Sequence, residues 1–141
     1  MTLQFQSCMR KRVLIVDDDA TVTAPVVTYF RSLGHLVDSA AEAAEAGALI
    51  AAGRYDAAIL DLRLTSLGGA EGLELLREIR ERDAAATVIV LSAYVSAEAR
   101  AEALRRGATS VLQKPHPLPD LARLALGGDG PSRDARPEAG E

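Results

Sequence analysis

Short runs of apolar residues alternate along this chain with longer segments in which apolar positions recur every three or four residues. The run Val13-Leu14-Ile15-Val16 is apolar at consecutive positions and stops abruptly at Asp17-Asp18-Asp19. A continuous leucine and β-branched run of this length reads as a strand buried on both faces. Leu36–Ser39, Ala57–Leu60, Thr87–Leu91 and Val111–Gln113 supply four further strand candidates. Between them, Val22, Val26, Phe30 and Leu33 recur at helical spacing, with Gly34 placed to stop the helix. Pro25 falls inside that pattern, and unless it lies in the first turn it removes a hydrogen bond and bends the helix.

A second helix is expected over 41–52, with Leu49 and Ile50 on its inner face and Gly53 closing it. A loop containing Gly68 and Gly69 is expected next, then a helix from about Glu71 to Arg82 that turns Leu73, Leu76 and Ile79 inward. Ser96 to Arg106 alternates alanine with charge; alanine's helix propensity and Gly107 at the end favour helix over strand. A short helix from about Leu118 to Leu126 closes the pattern. Strands alternating with helices predict right-handed βαβ units, and so an α/β fold with a parallel sheet covered on both faces. The expected boundaries are an N-terminal arm over 1–10, one domain over 11–126 and a disordered tail over 127–141, rich in Gly, Pro and charge.

Composition narrows the function classes. With 141 residues the chain is about one domain's worth, and a formal net charge of -4 gives no electrostatic case for nucleic acid or an anionic membrane. No apolar run is long enough to span a bilayer and the first residues lack a signal-peptide core, so a cytoplasmic location is expected. Cys8 stands alone, and His35 and His116 are isolated from each other, which leaves no disulfide framework and no zinc pattern.

The chemistry gathers at strand ends. Asp17 and Asp18 follow the first strand, Asp61 the third, Ser92 the fourth and Lys114 the fifth. In a parallel sheet these ends face one crevice, where open α/β sheets hold their ligands. Two carboxylates about 4 Å apart repel by about 4 kcal/mol at an effective dielectric near 20. An oxygen-only cluster of that kind suits a hard cation such as Mg²⁺. Asp19 reads chiefly as the N-cap of the next helix. The set fits phosphoryl transfer: a carboxylate can attack phosphorus, while Lys114 and Ser92 stabilise oxygens of the moving group. Asp61, alone at its strand end, is the candidate nucleophile; the earlier pair are the candidate metal holders. Lys114-Pro115 suggests a rigid turn, which a cis bond could use to aim the ammonium into the site.

These stretches, with Ala58-Ile59-Leu60-Asp61-Leu62, Val88 through Ala93, and Gly107-Ala108 through Lys114-Pro115, resemble the receiver domain of two-component response regulators over about Lys11 to Leu126. The resemblance implies a flavodoxin-like doubly wound fold, a five-stranded parallel sheet in order 2-1-3-4-5. It implies that Asp61 accepts a phosphoryl group from a histidine kinase or histidine phosphotransfer protein. Mg²⁺ would be held by Asp18, Asp61 and the backbone carbonyl of Arg63, with help from Asp17; Ser92 and Lys114 would contact the phosphoryl oxygens. The chain would act as a stand-alone phosphoacceptor rather than a conventional enzyme, signalling to a protein target as a monomer or weak dimer.

Departures from the family pattern carry their own expectations. Thr65 replaces a usual proline, and the stretch to Gly72 is longer than usual, so a mobile loop is expected beside the site. Val111 replaces the usual switch aromatic, so signalling is expected to use the backbone after Ser92, with a part for Tyr94. Arg63 and Tyr94, both large, occupy the positions that tune dephosphorylation, which implies slow loss of phosphate. Pro117 and Pro119 crowd the last helix.

Two other readings compete. Asp17-Asp18-Asp19-Ala20-Thr21 also resembles the nucleophile motif of haloacid-dehalogenase-like phosphatases, with Asp17 as nucleophile and Asp19 as general acid. That reading lacks an acidic pair on a strand end after the lysine, since Asp120 starts a helix and Asp129 is in the tail; it also leaves Asp61 unused. A degenerate receiver that binds proteins without phosphorylation is the other. A calcium loop beginning at Asp17 is excluded, because Val22 stands where its sharp turn needs glycine.

Overall fold

A computed structural model describes residues 10–61, 66–93 and 95–126. Five strands, β1 (Arg12–Val16), β2 (Leu36–Ala40), β3 (Ala57–Asp61), β4 (Thr87–Ser92) and β5 (Ser110–Gln113), form one parallel sheet in the order β2-β1-β3-β4-β5. The helices between and after them are α1 (Ala20–Ser32), α2 (Ala43–Ala52), α3 (Ser66–Arg82), α4 (Ala97–Arg105) and α5 (Leu118–Ala125). The expected fold class is the observed one. The arm before residue 10 and the tail from residue 127 lie outside the described residues, as do Arg63, Thr65 and Tyr94.

The continuous apolar runs are explained by burial on two faces. Leu14, Val16, Ala58, Leu60, Val88 and Val90 pack with Ala46 and Ile50 of α2, Leu75, Leu76 and Ile79 of α3 and Ala103 of α4. The alternate residues Val13, Ile15, Ala57, Ile59, Ile89 and Leu91 pack with Val26 and Phe30 of α1 and Leu121, Ala122 and Ala125 of α5. Register keeps each set on its face, with Leu14 opposite Ala58 and Ala58 opposite Val88. Each fully buried Leu, Ile or Phe contributes about 1.5–3 kcal/mol by leaving water. Truncating Phe30, which is fully buried, to alanine would cost about 3–5 kcal/mol by adding a cavity.

Helix ends follow local chemistry. The Asp19 carboxylate caps α1, accepting from the Thr21 amide at 3.0 Å and the Thr21 hydroxyl at 2.6 Å. At its other end Gly34 (φ 95°) donates to the Arg31 carbonyl and His35 to the Phe30 carbonyl, a Schellman closure. Gly107 (φ 114°) closes α4 in the same way, through Leu104 and Ala103. Gly53 has another reason: its backbone is extended, but a Cβ there would lie 2.9 Å from Arg12 Nη1.

The hydrogen bond expected to be lost at Pro25 is lost, while the readings of Leu33, Gly68 and Gly69 are corrected. Pro25 is the sixth residue of α1, past its first turn, and the helix continues through it. Pro25 and Thr21 are both exposed, so water can satisfy the Thr21 carbonyl that Pro25 cannot. Leu33, in phase with Val26 and Phe30, is the C-cap residue and 45% exposed, because the chain leaves the helix before it can turn inward. Gly68 and Gly69 belong to α3, which begins at Ser66 rather than near Glu71. Each glycine costs about 1 kcal/mol relative to alanine in a helix. Packing of Leu75, Leu76 and Ile79 farther along the same helix outweighs that penalty.

Candidate functional site

The strand termini bring the side chains of Asp17, Asp61 and Lys114 together, with Ser92 joined to Lys114 through its backbone carbonyl. Asp17 follows β1 and is held by two bonds of different origin. Its amide donates to the Ala40 carbonyl at 3.0 Å, and its Oδ1 accepts from the Asp19 amide at 2.9 Å. The side chain is buried, 3% exposed, with Oδ2 on the Lys114 side. Asp18, the next residue, is solvent-exposed.

Asp61 ends β3 opposite Leu91 of β4, and its side chain is 15% exposed. Lys114 directly follows β5; its ammonium pairs with Asp61 Oδ2 and lies 3.6 Å from Asp17 Oδ2. The Lys114–Pro115 peptide is cis. The Lys114 amide donates to the Ser92 carbonyl at 2.8 Å, tying the ends of β4 and β5 together. Ser92 itself is 3% exposed at the last position of β4.

The charges do not balance. Burial pushes the Asp61 carboxyl well above the ordinary carboxylate range, and hydrogen bonding and repulsion from Asp17 add to the shift; Lys114 offsets only part of it. For Lys114, burial acts against the ammonium, but its bond to Asp61 wins and raises its value. Two carboxylates thus share an ammonium in a half-enclosed site. The donors are all oxygen, and the excess negative charge would be relieved by a hard divalent cation, so the residues fit Mg²⁺ chemically. Among the described residues no three His, Cys, Asp or Glu side chains close into a metal-sized group. Lys114 stands against Asp61 instead, and the expected carbonyl of Arg63 lies outside the described residues.

Other polar residues have structural partners. The His35 ring accepts from the Lys11 amide at 3.1 Å, and His116 Nε2 lies 2.6 Å from Asp120, which also pairs with Arg123. Sequence reasoning missed Arg100, whose Nη1 donates to the Val111 carbonyl at 2.7 Å. Its setting in an alternation of alanine and charge marks only a solvated helix face.

The acidic crevice and its lysine lie at the carboxyl edge of a doubly wound parallel sheet, where open α/β sheets bind their ligands. The model of the response regulator receiver domain matches residues 13–125, and the chain belongs to that family. It is 36% identical over 114 residues to a response regulator receiver protein of Anaeromyxobacter sp., covering 81% of this chain and 47% of that protein. The chain spans about half the length of the curated relatives it matches, several of which are transcriptional regulatory proteins. Among solved structures it is similar to a CheY-like receiver domain protein from Methanospirillum hungatei (TM-score 0.75, 27% identity, 93% of this chain and 99% of that one). It is also similar to response regulator TrrA of Thermotoga maritima, solved in complex with Mg²⁺–BeF (TM-score 0.65, 28% identity, 80% and 94% covered).

Proposed function

We propose that Asp61 is the phosphoacceptor of a Mg²⁺-dependent response regulator, charged by a histidine kinase or histidine phosphotransfer protein. The observation that carries this reading is the meeting of Asp61, Asp17 and Lys114 from three strands in one half-enclosed site. A carboxylate oxygen of Asp61 attacks phosphorus, the P–N bond of the donor phosphohistidine breaks, and the imidazole leaves with the electron pair and takes up a proton. Lys114 accompanies the moving group from Asp61 and neutralises its oxygens, and the Ser92 hydroxyl donates to another. Asp17, Asp18, Asp61 and the Arg63 carbonyl would hold Mg²⁺, which supplies charge neutralisation on the phosphoryl oxygens when bound.

TrrA in complex with Mg²⁺–BeF supports this assignment by similarity. The competing phosphatase reading is disfavoured by geometry. Asp17 Oδ1 is engaged by the Asp19 amide, and Asp19 is engaged by Thr21, so the proposed general acid is occupied as a helix cap. The modified receiver carries about 1.5–2 extra negative charges and alters a surface read by a protein partner. No helix among the described residues is long and apolar enough to cross a membrane; with the net charge of -4, we take the receiver itself to act in the cytoplasm on protein rather than nucleic acid.

The test is acetyl phosphate with Mg²⁺, read by intact mass, on wild type and Asp61→Asn. Wild type should gain one phosphoryl group, mapped to Asp61, and the variant none. Label on Asp17, or undiminished label in the variant, would reject the assignment.

A further inference from the structure

We propose that Thr21 and Thr23, acting through Asp19, are positioning residues that hold the acidic run after β1 in the shape that receives Mg²⁺; the inference rests on the Mg²⁺-dependent reading of the site. Of the three consecutive aspartates, only Asp19 has no place in the phosphoryl chemistry. Its neighbour Asp17 divides one carboxylate between two tasks. Oδ2 lies 3.6 Å from the Lys114 ammonium, whereas Oδ1 accepts from the Asp19 amide at 2.9 Å. That amide points at Oδ1 with Asp19 in the extended backbone of an N-cap residue (φ −106°, ψ 103°).

The first turn of α1 holds Asp19 in that conformation. Thr21 donates twice to Asp19 Oδ1, from its amide at 3.0 Å and from its hydroxyl at 2.6 Å. Thr23 donates twice to the Asp19 carbonyl, from its amide at 3.0 Å and from its hydroxyl at 3.2 Å. The same hydroxyl lies 3.3 Å from the Asp17 carbonyl, so one group spans both ends of the run. Neither threonine belongs to the apolar core, Thr21 being exposed and Thr23 half-buried. Threonine is also a poorer helix former than alanine. What the two contribute to this turn is their hydroxyls.

Two consequences reach the cation site. The Asp19 carboxylate is committed to the amino end of α1, where the helix dipole favours a negative charge, and Asp17 and Asp18 are left to the cation. The Asp19 amide in turn fixes which oxygen Asp17 turns toward Lys114. A run whose conformation is set before the ion arrives loses less freedom on binding it, so these remote bonds appear as affinity.

Mg²⁺ titrations of the full chain test this, read by amide chemical shifts at Asp17, Asp18 and Asp61 without any phosphodonor. Salt of about 0.15 M screens remote charges. Thr21→Val and Thr23→Val keep each side chain's shape and remove its hydroxyl. Combined, they should weaken Mg²⁺ binding about five-fold, as expected for the loss of about one net hydrogen bond. The corresponding pair of serine substitutions should recover most of that loss. Asp19→Asn, which still caps a helix, should bind Mg²⁺ more tightly than Asp19→Ala, which does not. Equal Mg²⁺ affinity in wild type and the double valine variant would overturn the proposal even if the variant melted earlier, because the threonines would then stabilise α1 alone. Equally weak binding by Asp19→Asn and Asp19→Ala would overturn it too, by making the Asp19 charge rather than its cap the source of affinity. If wild type itself shows no Mg²⁺-dependent shift at Asp17 or Asp61, the Mg²⁺-dependent reading fails and takes this inference with it.

Discussion

Replacing Lys114 with methionine removes the cation seen between Asp17 and Asp61 while keeping most of the side-chain volume. Leaving a buried charge without its partner costs about 3–5 kcal/mol in fully enclosed pairs. The Lys114 side chain here is 21% exposed and Asp61 15% exposed, so solvent screens part of the loss. A cost of about 2 kcal/mol at neutral pH is expected, or about 8 °C in melting temperature for a domain of this size. The pH dependence carries a definite sign. Burial and Asp17 already raise the Asp61 value in the folded state, and removing Lys114 raises it further. A carboxyl whose folded value exceeds its unfolded value favours folding while protonated, and that contribution is lost as pH rises through the folded value. The deficit of Lys114→Met should therefore be greatest above the raised Asp61 value and shrink as pH falls toward the ordinary carboxylate range. Urea titrations of both proteins at several pH values measure it. Saturating Mg²⁺ should restore more stability to the variant than to wild type, because the cation replaces the missing charge. Equal stability at neutral pH, or a deficit that grows on acidification, would refute the electrostatic account of the site.

Other expectations concern parts of the fold remote from that crevice. Tyr55→Phe keeps the buried ring and the Arg12 guanidinium 4.9 Å from its centroid, but loses the 2.6 Å bond to Asp38, at about 1 kcal/mol. Burial and Asp38 push the Tyr55 hydroxyl up to about 12, and the Tyr55 bond holds Asp38 below its usual range. The wild-type advantage should thus fade in two windows: as pH rises from the ordinary tyrosine value through the raised one, and as acid protonates Asp38. Chemical denaturation across pH checks both limits. Gly107→Ala should cost more than Gly34→Ala: both positions have positive φ, at about 1 kcal/mol, but only at Gly107 would a Cβ come within 3.2 Å of Arg80. Thermal melts of the two variants make that comparison, and equal losses would show that Arg80 yields freely.

Local pattern alone determined much of this protein. Consecutive apolar residues at 13–16 and 88–91 have no polar side to give water, so they specify strands covered on both faces. Gly34 and Gly107 mark helix ends because their positive φ is cheap for glycine. Polar residues placed directly after such strands were legible as a site, since parallel strands carry them to one edge.

Tertiary structure decided what depends on neighbours distant in sequence. The start of α3 at Ser66 was hidden by two glycines whose local preference is overcome by packing farther along the helix. Leu33 has the spacing of a core residue, yet faces solvent because the closure at Gly34 turns the chain away first. The ammonium shared by Asp17 and Asp61, and the reach of Arg100 to the Val111 carbonyl, exist only once strands and helices are stacked. Periodicity reports which side of an element is apolar, whereas the balance of charge within a crevice is set by distances between elements that no local pattern encodes.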